Sequence, residues 1–415
     1  MIGERIKQAR AAAGLSLRDL AERAGISAMA ISKYERDENT PSSGVLLALA
    51  KALHVRTEYF FRQVHVDLQE VSYRKHPDLP EKEKIRVLAE VHDQLERWLE
   101  LESFIPTPWA IPFELPKNLP ARVHSFDEIE GVAIAIRQVW DLGLNPILDL
   151  IDTLESHGIK VFTVAFDANK KFDGLSAKAD GKQVVVVGKE WPGDRQRFTL
   201  AHELGHLVLH TRLAKGVDEE TACNRFAGAF LVPKPEVEKA LGKSRTWLEP
   251  QELMLLKHEW GLSMGGWTYR ALENDILPKS RMQALWSHFR EHGWDKEEPN
   301  PQYPREEVRL FKQLVYHALA EDLIGESKAA ELLGMSLVAL RACRKMQCPP
   351  TTEVADVPKG QVGVRKVQAR NKTIGTGSWV ERDSGTGRVV DRRPGHVPAK
   401  GVLSHSVSRE SKKKA

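Results

Sequence analysis

Apolar residues recur at helical spacing through the first sixty residues, in the series Ile6, Ala13, Leu15, Leu20, Ala24, Ile26, Ile31, Leu46, Leu49 and Leu53. Ser16 and Ser27 stand where N-caps belong, Gly14 and Gly25 where helices stop, and Pro41-Ser42-Ser43 opens a further helix. The pattern predicts a small all-α domain of short helices. Lys82 to Glu102 then repeats apolar residues at three and four, through Ile85, Leu88, Val91, Leu95, Trp98, Leu99 and Leu101. Pro106, Pro108, Pro112, Pro116 and Pro120 forbid its continuation and mark a boundary.

From residue 126 the texture becomes mixed α+β. Helices are predicted at about 127–139 and 145–157, then a strand, Lys160–Phe166. Leu175–Ala179 and Gln183–Val187 read as a hairpin, because Asp180-Gly181 supplies its turn. A long helix runs from Asp194 to about Thr211, another spans about 218–231, and 250–345 is helical again. No repeat of 20–50 residues is visible.

Composition narrows the classes. The 415 residues are 41% hydrophobic and 28% charged, without the roughly 20-residue apolar run of a spanning helix. The N-terminus is charged and lacks the apolar core of a secretory signal. Three cysteines, Cys223, Cys343 and Cys348, exclude a disulfide framework and suggest the cytoplasm. The net charge of +4 is uneven: residues 351–415 hold 14 Lys/Arg against 6 Asp/Glu, so the body is slightly acidic and the tail basic. That tail is expected to be largely disordered solvated charge, although Gly375–Val390 could form a hairpin.

The sharpest chemical signal is His202-Glu203-Leu204-Gly205-His206 inside a predicted helix. Four residues return to within about 40° of the starting direction, so the two imidazoles share one face and can grip one Zn²⁺. Glu203 is placed to take a proton from water. Phe198, Leu200, Ala201, Leu204, Leu207 and Leu209 make the helix apolar on most sides, and ligation would satisfy polar groups buried there. A third ligand can come from Glu220 on the next helix, with Glu219 as its rival, and Asn224 can accept from the ring N–H of a ligating histidine. His210 is expected to be a core or supporting histidine and Cys223 a small apolar filler.

The run Arg197-Phe-Thr-Leu-Ala-His-Glu-Leu-Gly-His206, with Glu220-x-x-x-Asn224-x-Phe226-Ala227 and Leu231-Val-Pro233, resembles the ImmA/IrrE family of zinc metallo-endopeptidases. The likeness spans about 126–270 and implies a gluzincin-like fold, zinc on His202, His206 and Glu220, Glu203 as catalytic base, and a transcriptional repressor as substrate. Gln183–Val187 could be an edge strand that pairs with that substrate, or an ordinary core strand.

Leu15 to Glu35 has helix-turn-helix texture, with Ala21 small at the helix crossing and Gly25 permitting the turn. The second helix would present Ser27, Ala28, Ser32, Lys33 and Arg36 to a major groove. Residues 1–61 resemble the XRE family of phage-repressor-like domains, and the likeness suggests a structural Arg10–Glu35 pair. Leu17 and Ala28 stand where many relatives carry Gln, which would shift readout toward Ser32, Lys33 and Arg36. Ser327 to Ser336 looks like half of another such motif and is read as a packed helical hairpin.

The expected organisation is therefore multidomain: an all-α lambda-repressor-like reader at 1–65, a helical connector and Pro-rich linker at 66–125, an α+β zinc peptidase domain at 126–270, a helical region at 271–346 and a basic tail at 347–415. The expected partners are a double-stranded DNA operator, a protein substrate (a repressor, an antitoxin or the chain itself) and a second copy in a homodimer. The expected activity is zinc-dependent hydrolysis of a peptide bond. The alternative is a DNA-binding regulator or antitoxin whose zinc domain senses or binds without cutting.

Overall fold

The computed structural model describes residues 2–62, 68–73, 80–105, 112–165, 172–179, 181–347, 378–382 and 389–394. The chain divides into two compact units, Met1–Pro350 and Thr351–Ala415. Residues 106–111 at the start of the expected Pro-rich linker, the end of the strand at Phe166 and the turn residue Asp180 lie outside the described residues.

Four helices open the first unit: α1 (Ile2–Ala12), α2 (Leu17–Ala24), α3 (Ala28–Glu35) and α4 (Ser43–Leu53), followed by a 3₁₀ turn, Thr57–Phe61. Local chemistry sets their ends. The Ser16 hydroxyl accepts from the Asp19 amide while the Asp19 carboxylate accepts from the Ser16 amide, a reciprocal cap. Gly25 ends α2 at φ +67°, a conformation that disfavours any side chain. Ser27 then caps α3. Ile6, Leu20, Ile31, Leu49 and Phe60 close the core, and Arg10 pairs with Glu35 at 2.6 Å.

Strand β1 (Leu68–Tyr73) precedes the long helix α5 (Glu81–Phe104). Next come α6 (Phe126–Val139), α7 (Leu150–Ser156), β2 (Ile159–Val164), β3 (Gly174–Ala179), β4 (Lys182–Gly188), α8 (Gly193–Leu209) and α9 (Glu219–Leu231). The sheet order is β1-β3-β4-β2, with β2 parallel to β4 and the other pairs antiparallel. α7 is shorter than its apolar pattern suggested: it begins at Leu150, capped by the Asp149 side chain, which accepts from the Asp152 amide.

Both faces of the sheet are covered, which is why β4 reads Val184-Val-Val-Val187 rather than alternating with polar residues. Val184 and Val186 face Val87, Val91 and Leu95 of α5, while Val185 and Val187 join Leu200, Leu204 and Val208 of α8. β4 therefore lies inside the sheet, and the possibility that it is an edge strand is excluded. Its outer neighbour β3 is paired in turn with β1, a segment of the connector.

The first unit finishes with α10 (Lys234–Leu241), α11 (Pro250–Trp260), α12 (Met264–Glu273), α13 (Lys279–Glu291), α14 (Leu310–Ala320), α15 (Glu326–Leu332) and α16 (Leu337–Arg344). The last three pack around Trp98 and Leu101 of α5. α5 is thus a shared spine, touching the sheet, the C-terminal helices and the N-terminal domain. Arg5 of α1 forms a fully buried ion pair with Glu96, and Arg62 reaches Asp93 at 2.8 Å and Glu331 of α15 at 3.1 Å.

Cys343 is disulfide-bonded; its partner is outside the described residues, and one bridge is not a framework. In the second unit, β5 (Ser378–Arg382) and β6 (Val389–Pro394) form an antiparallel pair. The ladder overlaps the Gly375–Val390 stretch whose pattern allowed a hairpin, its second strand running on to Pro394; the rest of the tail is outside the described residues.

Candidate metal centre and nucleic-acid interface

Helix α8 is buried along nearly its whole length, and His202 and Glu203 are fully enclosed. α9 crosses it closely because Gly205 has no side chain: a Cβ there would meet Cys223 Cα at 3.2 Å and Phe226 Cδ1 at 3.2 Å. That approach carries Glu220 and Asn224 to the two histidines. His202 Nε2 lies 3.1 Å from His206 Nε2, and Glu220 oxygens lie 3.6 and 3.7 Å from those same nitrogens.

Tetrahedral zinc with ligands at about 2.0–2.1 Å separates its ligand atoms by about 3.3 Å. The His202, His206 and Glu220 triangle fits that spacing, and the donor set of two imidazoles and a carboxylate suits zinc.

Each imidazole is held by its other nitrogen. His202 Nδ1 lies 2.9 Å from Asn224 Oδ1, and His206 Nδ1 lies 3.0 Å from Glu219 Oε1. With those nitrogens donating, both Nε2 lone pairs point into the triangle. Glu219, weighed from sequence as a rival ligand, sits instead behind His206. The same oxygen receives His210 Nδ1 at 3.0 Å. Burial opposes ionisation of Glu219, but the two histidine contacts outweigh it and hold the carboxyl below its ordinary range.

His210 is not a core residue, since its side chain is 72% exposed; it supports the centre only through Glu219. Cys223 is fully buried, and burial with the neighbouring carboxylates pushes its thiol up, as for an inert filler.

Glu203 follows His202 directly, and Gly174 lets the start of β3 pass close to α8 beside it: a Cβ there would meet Thr199 Cγ2 at 2.6 Å and the Val186 carbonyl oxygen at 2.8 Å. Beside Asn224 opens a cavity of about 540 Å³, whose wall sets Phe198, Tyr269, Trp286, Phe289 and Trp294 among charged residues such as Arg195, Lys257, Arg270 and Glu298. Sequence periodicity alone did not assemble this wall, because its residues come from α8, α11, α12, α13 and the segment after it.

On the N-terminal domain, Ser27 and Arg36 are exposed and Ala28, Ser32 and Lys33 half-buried along one side of α3. Arg36 Nη1 donates to Ser32 Oγ at 2.8 Å and its Nε pairs with Glu38 at 2.6 Å, so two of the expected base readers are engaged with each other. No helix among the described residues is long and apolar enough to cross a membrane.

Comparisons with known proteins agree with this division. The IrrE N-terminal-like domain family matches residues 154–271, and the helix-turn-helix family matches residues 6–60. Over 60 residues the chain is 45% identical to an uncharacterized transcriptional regulator in the ATPase CF(0) region of Rhodospirillum rubrum, covering 14% of this chain and 56% of that protein. Over 93 residues it is 32% identical to the HTH-type transcriptional regulator ImmR of Bacillus subtilis (strain 168), covering 22% of this chain and 69% of that protein. The chain spans only about half the length of the first of these relatives. An XRE-type helix-turn-helix at one end, likeness to a transcriptional regulator, and an IrrE-like fold around two histidines converge: the chain belongs to the helix-turn-helix family of DNA-binding transcriptional regulators and carries a domain of the IrrE-like metallopeptidase family.

Proposed function

We propose that this chain is a cytoplasmic DNA-binding regulator whose IrrE-like domain is a zinc-dependent endopeptidase, cutting itself or a partner repressor or antitoxin. The observation that carries the reading is the ligand triangle of His202, His206 and Glu220, with Glu203 enclosed one residue from the first ligand.

Zinc bound there would act as a Lewis acid toward water and the scissile carbonyl. Asn224 and Glu219 fix the tautomer and orientation of the two histidines, so neither must rotate during a turnover. Glu203 accepts a proton from the attacking water and returns it to the leaving amine. The cavity beside Asn224, lined by both aromatic and charged side chains, has the size to hold a substrate side chain. Operator binding through α3 by a homodimer would place this activity where the repressors act.

Glu203→Gln tests the reading. Zinc content and DNA binding should persist while fragments of a partner repressor, followed by mass spectrometry, disappear. Continued cleavage at the parental rate would refute the assignment of the base. Loss of zinc would mean that Glu203 belongs to the ligand set.

A further inference from the structure

The hairpin at Ser327–Ser336, read from sequence as packed helices, is part of a second copy of the N-terminal reading unit. Shifting α1, α2 and α3 by a constant 309 positions gives 311–321, 326–333 and 337–344; α14, α15 and α16 occupy 310–320, 326–332 and 337–344. The match extends to individual bonds. Gly25 and Gly334 both take the left-handed turn, at φ +67° and +65°. Ile26 N donates to Ala21 O at 3.1 Å and Met335 N to Ala330 O at 3.0 Å. Ser27 and Ser336 each cap the following helix through a 3.1 Å bond from the third residue on, Ala30 and Ala339. Ile6, Leu20 and Ile31 are fully buried, and so are their counterparts Val315, Ala329 and Leu340. Residues 2–36 thus have a structural counterpart at 311–345. Only a few residues, such as Ala21, Gly25, Ser27 and Ala30, are shared, so the sequence alone conceals the match.

The two copies also expose the same side. Met29 and Val338 occupy equivalent positions and are the protruding apolar residues, 71% and 78% exposed. Where the first unit is braced by Arg10 and Glu35, the second has Leu319 and Arg344. Arg341 and Lys345 take the positions of Ser32 and Arg36, and Arg344, in the place of Glu35, stands exposed beside them. All three are exposed, and residues 332–347 contain no acid. Arg341 and Arg344 meet one carboxylate, Glu326 at the start of α15.

We infer that α14–α16 is a second DNA-reading module, with α16 entering a major groove through Ser336, Val338, Arg341, Arg344 and Lys345. A packed hairpin needs Leu340 and Ala329 inside; it does not need three cations and an exposed valine on the opposite face. Arg62 of the first reader touches Glu331 of the second, and both units rest on α5, so the two recognition helices are carried by one rigid support.

The test uses the full chain and a random-sequence duplex titrated from 50 to 200 mM salt. Each phosphate contact steepens the salt dependence by about 0.9, so the triple change Arg341→Gln, Arg344→Gln and Lys345→Gln should lower the slope by about 2–3 and shrink the loss over that range by about 40-fold. Glu326→Gln releases the same two arginines and should bind more tightly than the parent. If the ion pairs serve only to hold the hairpin together, both changes weaken binding alike, and the inference fails. An unchanged slope in the triple variant also overturns it. Selection from a random DNA library should return two recognition blocks for the parent and one for the triple variant; one block for both is a further refutation.

Discussion

Replacing Glu96 by Gln removes the countercharge of Arg5 and almost nothing else. Both side chains are at most 2% exposed, so the guanidinium left behind stays in a dry interface between α1 and α5. Stripping one member from a buried pair costs about 3–5 kcal/mol. Arg5 keeps two bonds to the Arg62 carbonyl, at 3.2 and 3.1 Å, and the Tyr59 ring 5.8 Å away, which favours the lower end, about 3 kcal/mol. That corresponds to roughly a hundredfold rise in local opening. Amide hydrogen exchange of α1, read by mass spectrometry on the full chain, measures it directly. The rise should be confined to the N-terminal domain and its seam with α5, leaving α8 protected. The double change Arg5→Met with Glu96→Leu should recover most of the loss, because an apolar pair needs no countercharge. Less than a fivefold rise for Glu96→Gln alone, or equal loosening of α8, would refute the argument that this pair docks the domain.

Three further outcomes follow from the site and the core. Glu219→Ala removes the acceptor behind His206 and should weaken zinc about 10–100-fold in a chelator competition, with DNA binding unchanged. Gly205→Ala gains about 1 kcal/mol in helix propensity but puts a methyl 3.2 Å from Cys223 Cα; zinc affinity should fall even if the melting temperature does not. Burial pushes the Glu155 carboxyl up to about 8, above its unfolded value of 4.5, so the unfolded chain releases this proton first and stability declines as pH rises between those values. Glu155→Gln should therefore match the parent near pH 4.5 and melt at a higher temperature above pH 8; a constant difference across that range would contradict it.

Much of the candidate metal centre was legible because its signals are local. His202 and His206 share a helical stripe, and Glu220 and Asn224 share another, so phase alone put each pair on one face. What phase could not show was the approach of the two helices. Gly205 decides that approach, and with it the position of Glu219, which helical geometry aimed elsewhere. The sheet order was hidden for a similar reason: the Val184–Val187 run announces burial on two faces but not which strands flank it. The N-terminal motif was legible because Gly25 and Ser27 mark a turn with its cap. The same two residue types at Gly334 and Ser336 were visible too, but the apolar residues around them had changed identity while keeping their burial.

The pairing of β1 with β3 has a consequence for any peptide that would join the sheet near Glu203. The open side of that ladder is taken by a stretch of the chain's own connector, tethered within a few residues of α5 and so present at an effective concentration in the millimolar range. A visitor at cellular levels enters a contest it loses on numbers alone. Admission there requires the resident strand to be drawn away, and the segment leading into that strand begins where the DNA-reading domain ends.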